Sequence, residues 1–546
     1  MRTPLVGAYS RFGWNHPGPL LTVAYAIPYR LSGSNPNALL LAAGLINTAC
    51  VAGVLSTCRR RGGTGLLLLG SLGIVALLAS VGIGHLIDPW NAWAVFLPFL
   101  WFVFACWEIT LGDRRALLVA VVTGSIAAQG HLGYVPYVVA LAAWCAVVGL
   151  RHGAAHRRER ASREAGAGPP ADPDAVTDTV TDPDAAPSSA RWHRRLLPLG
   201  AVALLVALWS LPLLEAVGHR GGNLAAVATG YASALGSTEA GSDAPGDPAE
   251  EAVDRSSASI ADAAALLART YGTPAWLGFG EPVVYPGAVA PGPLPALVVP
   301  LLALVTLAIL ATRWSWEPGR MAVAISAIGL VTSLLALWAI RGPAYPWLVR
   351  PAWAMALFLY LTTAWSLLLL ARRRVRQPER IDAALSVIVA VIVVATSATT
   401  IAAAGDVQYP RERDSATMAE LGAQLDPWLR ARGPQDYALH SDGSGLVPAY
   451  AGVAAIIGRA GSTALLPGWY GRVFIPGHQL SDAGPAIELV VAEGDAAVAS
   501  WQSRPYATRL ATSRETIDGG RPPEQAVAVF AVPRGVVGRS SDSPPR

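Results

Sequence analysis

Apolar stretches of about 16–24 residues recur from Pro36 to Ala404, each ended by a short polar or basic break. A helix needs about 20 residues to cross a bilayer core, and in lipid every backbone N–H and C=O must be satisfied within the segment. A chain written this way folds as a polytopic transmembrane helix bundle, mainly α. Composition agrees, because 53% hydrophobic and 14% charged residues over 546 positions leave too little polar surface to cover a soluble globule. The net charge of +4 is small, and its placement matters more than its total. Lys is absent, so the Arg bias alone is no sign of phosphate recognition, and no nucleic-acid partner is implied. Cys50, Cys58, Cys106 and Cys145 lie within or beside apolar stretches, where a thiol behaves as a small hydrophobe. No disulfide framework follows.

The apolar windows predict ten spans, near 36–57, 65–86, 92–111, 115–130, 132–150, 196–217, 293–312, 320–340, 350–371 and 382–404. The breaks alternate in kind. Arg59-Arg60-Arg61, Arg114-Arg115, the Arg151–Arg195 segment, Arg313–Arg320 and Arg372–Arg380 are basic, and the positive-inside rule makes them cytoplasmic. The outer set is then the start of the chain, His85–Ala92, Gly130–Leu132, Gly218–Gly292, Arg341–Arg350 and everything after Gly405. The expected organisation is a partial first outer loop with an interfacial helix (1–35), a transmembrane core (36–150) and a disordered cytoplasmic linker (151–195). A second transmembrane region (196–404, with outer loop 218–292) and an extracytoplasmic soluble domain (405–546) follow. In that domain Ser415–Arg432 reads as a helix, Tyr437–Ser441 and Ile487–Ala492 as strands, and Ser500–Arg521 as solvated surface, which makes it a small α/β unit. The chain is expected in the plasma membrane, multi-pass.

An even number of spans returns the chain to its starting side, so the N-terminus is predicted outside. Met1 to Trp14 hold no apolar core long enough for a signal peptide, and a first spanning helix is therefore expected upstream of this sequence. Pro17–Leu31 is apolar but short and broken by Pro19 and Pro28, which reads as an interfacial or re-entrant helix.

Polar residues on the outer breaks are the candidates for chemistry. Arg11, Asn15 and His16 stand in an aromatic, turn-rich segment just before an apolar helix, where they can hold a polar headgroup or merely anchor the helix. Asp88 is the first carboxylate of the chain, in His85-Leu86-Ile87-Asp88-Pro89-Trp90-Asn91. It can take a proton from an attacking hydroxyl or help to ligate a divalent cation, and it also fits a helix cap with proline following. Gln129, His131 and Tyr134 mark the next tight outer turn, and Glu215, His219 and Asn223 flank the following one. Arg341 and Arg350 bound a short outer loop where the topology rule disfavours cations, and guanidiniums there suit a phosphate headgroup or act as snorkelling anchors.

The run Thr3-Pro4-Leu5-Val6-Gly7 through Trp14-Asn15-His16-Pro17-Gly18-Pro19-Leu20, then Asp88-Pro89-Trp90-Asn91, His131-Leu132-Gly133-Tyr134 and Gly222-Asn223-Leu224, resembles actinobacterial multi-span proteins of the GT-C class of membrane glycosyltransferases, over about residues 3–404. The resemblance implies transfer of a sugar from a polyprenyl-phosphate donor to an envelope glycan, lipid or protein acceptor outside the cytoplasm. It further implies an inverting displacement with an acid in the first outer loop and often a second carboxylate in the next, and a divalent cation, Mg or Mn, as the cofactor to expect. Met1 to Ile87 contain no Asp or Glu, so the first-loop acid is expected on the missing upstream segment. Asp88 takes the second-loop position as the catalytic residue. Arg11, Asn15, His16, Asn91, His131, Tyr134, Arg341 and Arg350 are the substrate-binding candidates. The competing readings are a transporter or flippase of lipid-linked glycans, which needs intramembrane charges along a path, and a non-catalytic membrane scaffold.

Overall fold

The computed structural model describes residues 4–10, 14–166, 188–218, 222–236, 259–275, 288–403, 412–442, 447–466, 487–514 and 526–537. The chain forms two compact units, a helical one made by Met1–Gly7, Asn15–Leu235 and Ser256–Asp406, and a second built mainly on Val407–Arg546.

In the helical unit, each of the ten predicted stretches is occupied by helix. Among the described residues, seven helices are long and apolar enough to cross a membrane: Asn37–Val81, Asn91–Thr110, Leu132–Ala155, Leu197–Gly218, Leu294–Arg313, Glu317–Trp338 and Pro346–Arg374. The protein is thus a multi-pass membrane protein. The count falls below ten for definite reasons. Asn37–Val81 holds two of the predicted stretches, broken at Gly63, whose φ of 61° and ψ of −153° suit glycine alone. The two arms fold back on each other, since Gly70 packs on Cys58 and Asn47 Nδ2 donates to the carbonyl of Leu86. Ala116–Gly130 has 15 residues, short of a full crossing, and Pro378–Ala403 stands outside the seven.

Leu20–Leu31 is a helix of 12 residues containing Pro28, about 18 Å long at 1.5 Å per residue and too short to span. Val135–Gly166 continues well past residue 150, and helix resumes at Ser188. The linker expected over 151–195 is correspondingly shorter at both ends, because Ala, Arg and Glu are good helix formers and extend a helix once a span has nucleated it. Residues 167–187 of that linker lie outside the described residues.

The segment 91–110 is buried almost all round and Pro346–Arg374 is next, which puts these two at the centre of the bundle. Phe99, Phe104, Trp107, Phe358 and Trp365 fill the space between them and their neighbours. Ile260–Leu267 and the turn after it pack into the same core, where Tyr271 Oη bonds Ser333 Oγ at 3.0 Å. Asn91 stands at one end of the central 91–110 segment and Glu108 near the other, about 26 Å apart. At the far end Glu108 accepts from Arg60 at 2.8 Å and lies 3.6 Å from Arg61, which also reaches Asp113 at 3.3 Å. Arg60 and Asp88 therefore belong to opposite ends of the bundle.

The second unit is a five-stranded mixed sheet in the order β2-β1-β3-β5-β4, with β1 Asp436–Asp442, β2 Thr463–Leu465, β3 Ile487–Glu493, β4 Thr508–Arg514 and β5 Ala526–Pro533. β1 runs parallel to β2 and β3, while β5 is antiparallel to β3 and β4. Side chains alternate across the sheet, so Leu439, Leu489, Val491, Val527 and Val529 meet the helices Glu412–Arg432 and Val447–Arg459 on one face. Val490, Ala492 and Phe530 meet Trp501 on the other. The predicted helix and both predicted strands lie within observed elements. Ser500–Arg521, expected to be plain surface, contains buried Trp501 and the edge strand β4. Gln424 ties that edge down, donating to the carbonyl of Thr512 at 2.8 Å and accepting its N–H at 3.1 Å.

Candidate functional site

The short turn after Ala116–Gly130 gathers the polar N-terminal segment around it by backbone capture. Gln129 accepts from the Leu20 N–H with its side-chain oxygen at 3.3 Å and donates from Nε2 to the Leu208 carbonyl at 2.9 Å. Gly18 sits so close to the Gln129 side chain that a Cβ there would overlap it. Gln129 is thus a structural clamp. Asn15 and Asn223 form a second one: Asn15 N–H donates to Asn223 Oδ1 at 2.7 Å and Asn223 Nδ2 returns to the Asn15 carbonyl at 2.9 Å. Glu215 fixes Asn223 by accepting its N–H at 3.0 Å, and Asn91 Nδ2 donates to the Gly130 carbonyl at 2.7 Å.

His16 and His131 are buried together, with ring centroids 4.7 Å apart. His16 Nδ1 accepts the Leu132 N–H and His131 Nδ1 the Gly133 N–H, each at 3.2 Å, which assigns the proton of each neutral ring to Nε2. Burial, and for His16 also the proximity of His131, pushes both far toward the neutral form, His131 to about 4. This pair holds the turn and is not poised to exchange protons near neutrality.

Tyr134, one turn on, carries a fully buried hydroxyl with no hydrogen-bond partner among the described residues, within reach of the Arg350 charge. Arg350 is 4% exposed and lies one turn into Pro346–Arg374. Its guanidinium stacks 3.7 Å above the Trp93 ring, and its Nε has no hydrogen-bond partner among the described residues. No ion pair forms for Arg350 among the described residues. Asp88 is close enough for its charge to act on Arg350 and on Tyr25 without closing a contact of 4.0 Å or less with the guanidinium. Its Oδ1 accepts the Trp90 N–H at 2.8 Å, the turn expected of an Asp followed by proline. Around this centre stand His85, Trp90, Trp93, Tyr345 and Trp347 in edge and stacked contacts of 4.6–5.8 Å. Trp90 is 42% exposed and forms the outer lip. Burial, followed by the nearby Arg350 charge, lowers the pKa of His85.

Energetically this is an unbalanced site. A buried cation is costly unless paired, and here it stands near a helix N-terminus, where the macrodipole also disfavours positive charge. Stacking on Trp93 offsets only part of that, about 2 kcal/mol when desolvated. An anion with several acceptor oxygens, such as a phosphate, would satisfy Arg350 and Tyr134 at once. A metal does not fit as well: among the described residues no three His, Cys, Asp or Glu side chains converge on a point, and the nearest charged neighbour described for Asp88 is a cation.

The structure therefore brings Asp88, Tyr134 and Arg350 into one neighbourhood, and His16, His131, Asn15 and Asn91 into the scaffold beside it. Arg341 is half-buried in the loop before Pro346, with no contact to Arg350 described. Arg11 and His219 lie outside the described residues. Trp93, Trp347 and Tyr345 are the site residues that sequence reasoning missed. Their only signal was the density of aromatics around Asp88 and Arg350, which an interfacial aromatic belt explains equally well.

No family model matches the chain, and no curated protein matches it. Its structure is similar to the crystal structure of ArnT from Cupriavidus metallidurans in the apo state, with a TM-score of 0.44, 12% identity, and coverage of 94% of this chain and 87% of that one. It is also similar to the same protein bound to undecaprenyl phosphate, with a TM-score of 0.42, 12% identity, and coverage of 95% and 89%. A likeness at that identity and score transfers no residue role and no ligand.

Proposed function

We propose that the protein is a membrane glycosyltransferase that takes its sugar from a polyprenyl-phosphate donor, with the donor phosphate seated against Arg350 and Tyr134. The observation that carries this reading is the buried, stacked guanidinium of Arg350, which joins no ion pair among the described residues, next to a buried hydroxyl that has no hydrogen-bond partner among them. The motif resemblance at Asp88–Asn91 and His131–Tyr134 supports it independently. In the reaction, an acceptor hydroxyl oxygen attacks the anomeric carbon as the bond to the phosphate oxygen breaks. The hydroxyl proton passes to Asp88, and the polyprenyl phosphate leaves with its negative charge held by Arg350. Trp90 and Trp347 offer flat apolar faces to the sugar ring or the first prenyl units. We route no step through a metal. The Arg clusters at the opposite end of the helical unit support a reaction on the outer side of the membrane, by the positive-inside rule.

Apart from Arg350, the transporter alternative gains nothing from the buried Glu108, which is engaged by Arg60 and Arg61. The test is transfer from polyprenyl-phosphate sugars by the full chain, together with binding of polyprenyl phosphate itself. Asp88→Asn should cut transfer by roughly 100-fold or more while leaving phosphate binding intact. Arg350→Lys should weaken binding and turnover by about 100-fold. Full transfer by Asp88→Asn would remove that residue from the chemistry, and unchanged binding by Arg350→Lys would sink the phosphate seat.

A further inference from the structure

A cavity of about 1390 Å³ opens between the helices Phe96–Thr110, Ala116–Gly130, Val135–Gly166 and Ser188–Gly218. It exceeds the about 300–1,000 Å³ of a typical small-molecule pocket. Its walls are apolar, with Phe102, Val121, Val138 and Leu205 along them. Its inner end is closed by Trp209, whose Nε1 donates to Ser125 Oγ at 3.1 Å. The charged groups of the lining gather at the other end, where Asp113, Arg114, Arg115 and His152 form the mouth. From Leu197 to Trp209 the groove follows its helix for about 18 Å, close to the depth of one leaflet of a hydrocarbon core about 30 Å thick.

Charge decides the occupant. Asp113 is already neutralised, with Arg61 at 3.3 Å and the Arg115 N–H bonded to its Oδ1 at 3.0 Å. The Arg115 guanidinium joins no ion pair among the described residues, and both Arg114 and His152 are exposed. Among the described residues the mouth is therefore net positive through Arg115, while the groove behind it carries no charged side chain. This end of the bundle is the Glu108 end, opposite Arg350, so the groove is separate from the site described above and does not depend on its reading.

We infer that this groove seats one anionic phospholipid from the leaflet on the Arg114 side, with its acyl chains along Val121, Val138 and Leu205 and its phosphate at Arg114 and Arg115. A basic residue near a membrane surface contributes about 1 kcal/mol toward an anionic headgroup, roughly fivefold in affinity for each arginine.

Native mass spectrometry of the full chain in detergent, titrated with phosphatidylglycerol or with phosphatidylcholine of the same acyl chains, tests this. The unmodified protein should retain one phosphatidylglycerol with a preference of about 25-fold, and R114Q/R115Q should lose most of that preference. Gly149→Trp should exclude both lipids, because it fills the groove from a position where an added Cβ meets nothing within 4 Å. An unchanged thermal transition of each variant shows that it is folded. Equal retention of the two lipids by the unmodified chain overturns the proposal, as does a preference that survives the double substitution. Retention by folded Gly149→Trp equal to that of the unmodified chain also overturns it, since the lipid would then lie on the surface.

Discussion

Neutral imidazoles are what make the contact between His16 and His131 tolerable, because each Nδ1 must keep a lone pair for a backbone N–H. The folded pKa of both lies below the ordinary value of 6.5, and that of His131 is about 4. The unfolded chain thus binds more protons in acid, and stability falls as the pH is lowered. The contribution is fully present above about pH 6.5 and is lost as pH drops toward 4, on the order of 3 kcal/mol for His131. Thermal unfolding in detergent should show this decline, and His131→Gln should flatten it; an identical decline in the variant would exclude His131 as its source. At this scale the sequence was legible in part. That His16, Asp88, His131 and Arg350 belong together could be guessed from the one side of the membrane on which the positive-inside rule puts them. That His16 and His131 brace a turn, while Arg350 faces Trp93, depends on which helices touch, and periodicity does not encode it.

The elements were the most readable level, because in lipid length and apolarity alone specify a helix. Arg59-Arg60-Arg61 followed by Gly62-Gly63 announced the reversal inside Asn37–Val81, and Gly63 makes it with a backbone conformation open to glycine. What fastens that hairpin is the Arg60–Glu108 pair, with the carboxylate side chain 4% exposed and the guanidinium 51%. Removing Glu108 leaves a cation that water can reach, so the cost is well under that of a wholly buried pair. Glu108→Ala should lose about 1–2 kcal/mol, read from thermal unfolding in detergent. A change below about 0.5 kcal/mol would class the pair with ordinary surface bridges. The strand β4, Thr508-Arg509-Leu510-Ala511-Thr512-Ser513-Arg514, was missed for a physical reason. An edge strand needs little apolar alternation when a neighbour such as Gln424 satisfies its exposed backbone.

For the whole molecule, the separation of Asp88 from Arg60 by the length of a span is the fact on which sidedness rests. The four native cysteines are buried, so single cysteines introduced at exposed Trp90 and Arg59 can be read against a low background. In sealed vesicles an impermeant maleimide should label Trp90→Cys and Arg59→Cys from opposite sides. Labelling of both from one side would refute the arrangement. The sequence by itself determined that this chain is a helix bundle in lipid with a small α/β unit after it, because hydrocarbon tolerates no unsatisfied backbone and so leaves one solution for each long apolar stretch. Only the tertiary structure decided that a buried Arg350 lies on Trp93 beside Tyr134, and that a separate groove ends at Arg114 and Arg115. Burial and charge compensation are properties of packed neighbours, and these neighbours are hundreds of residues apart in the chain or on different helices.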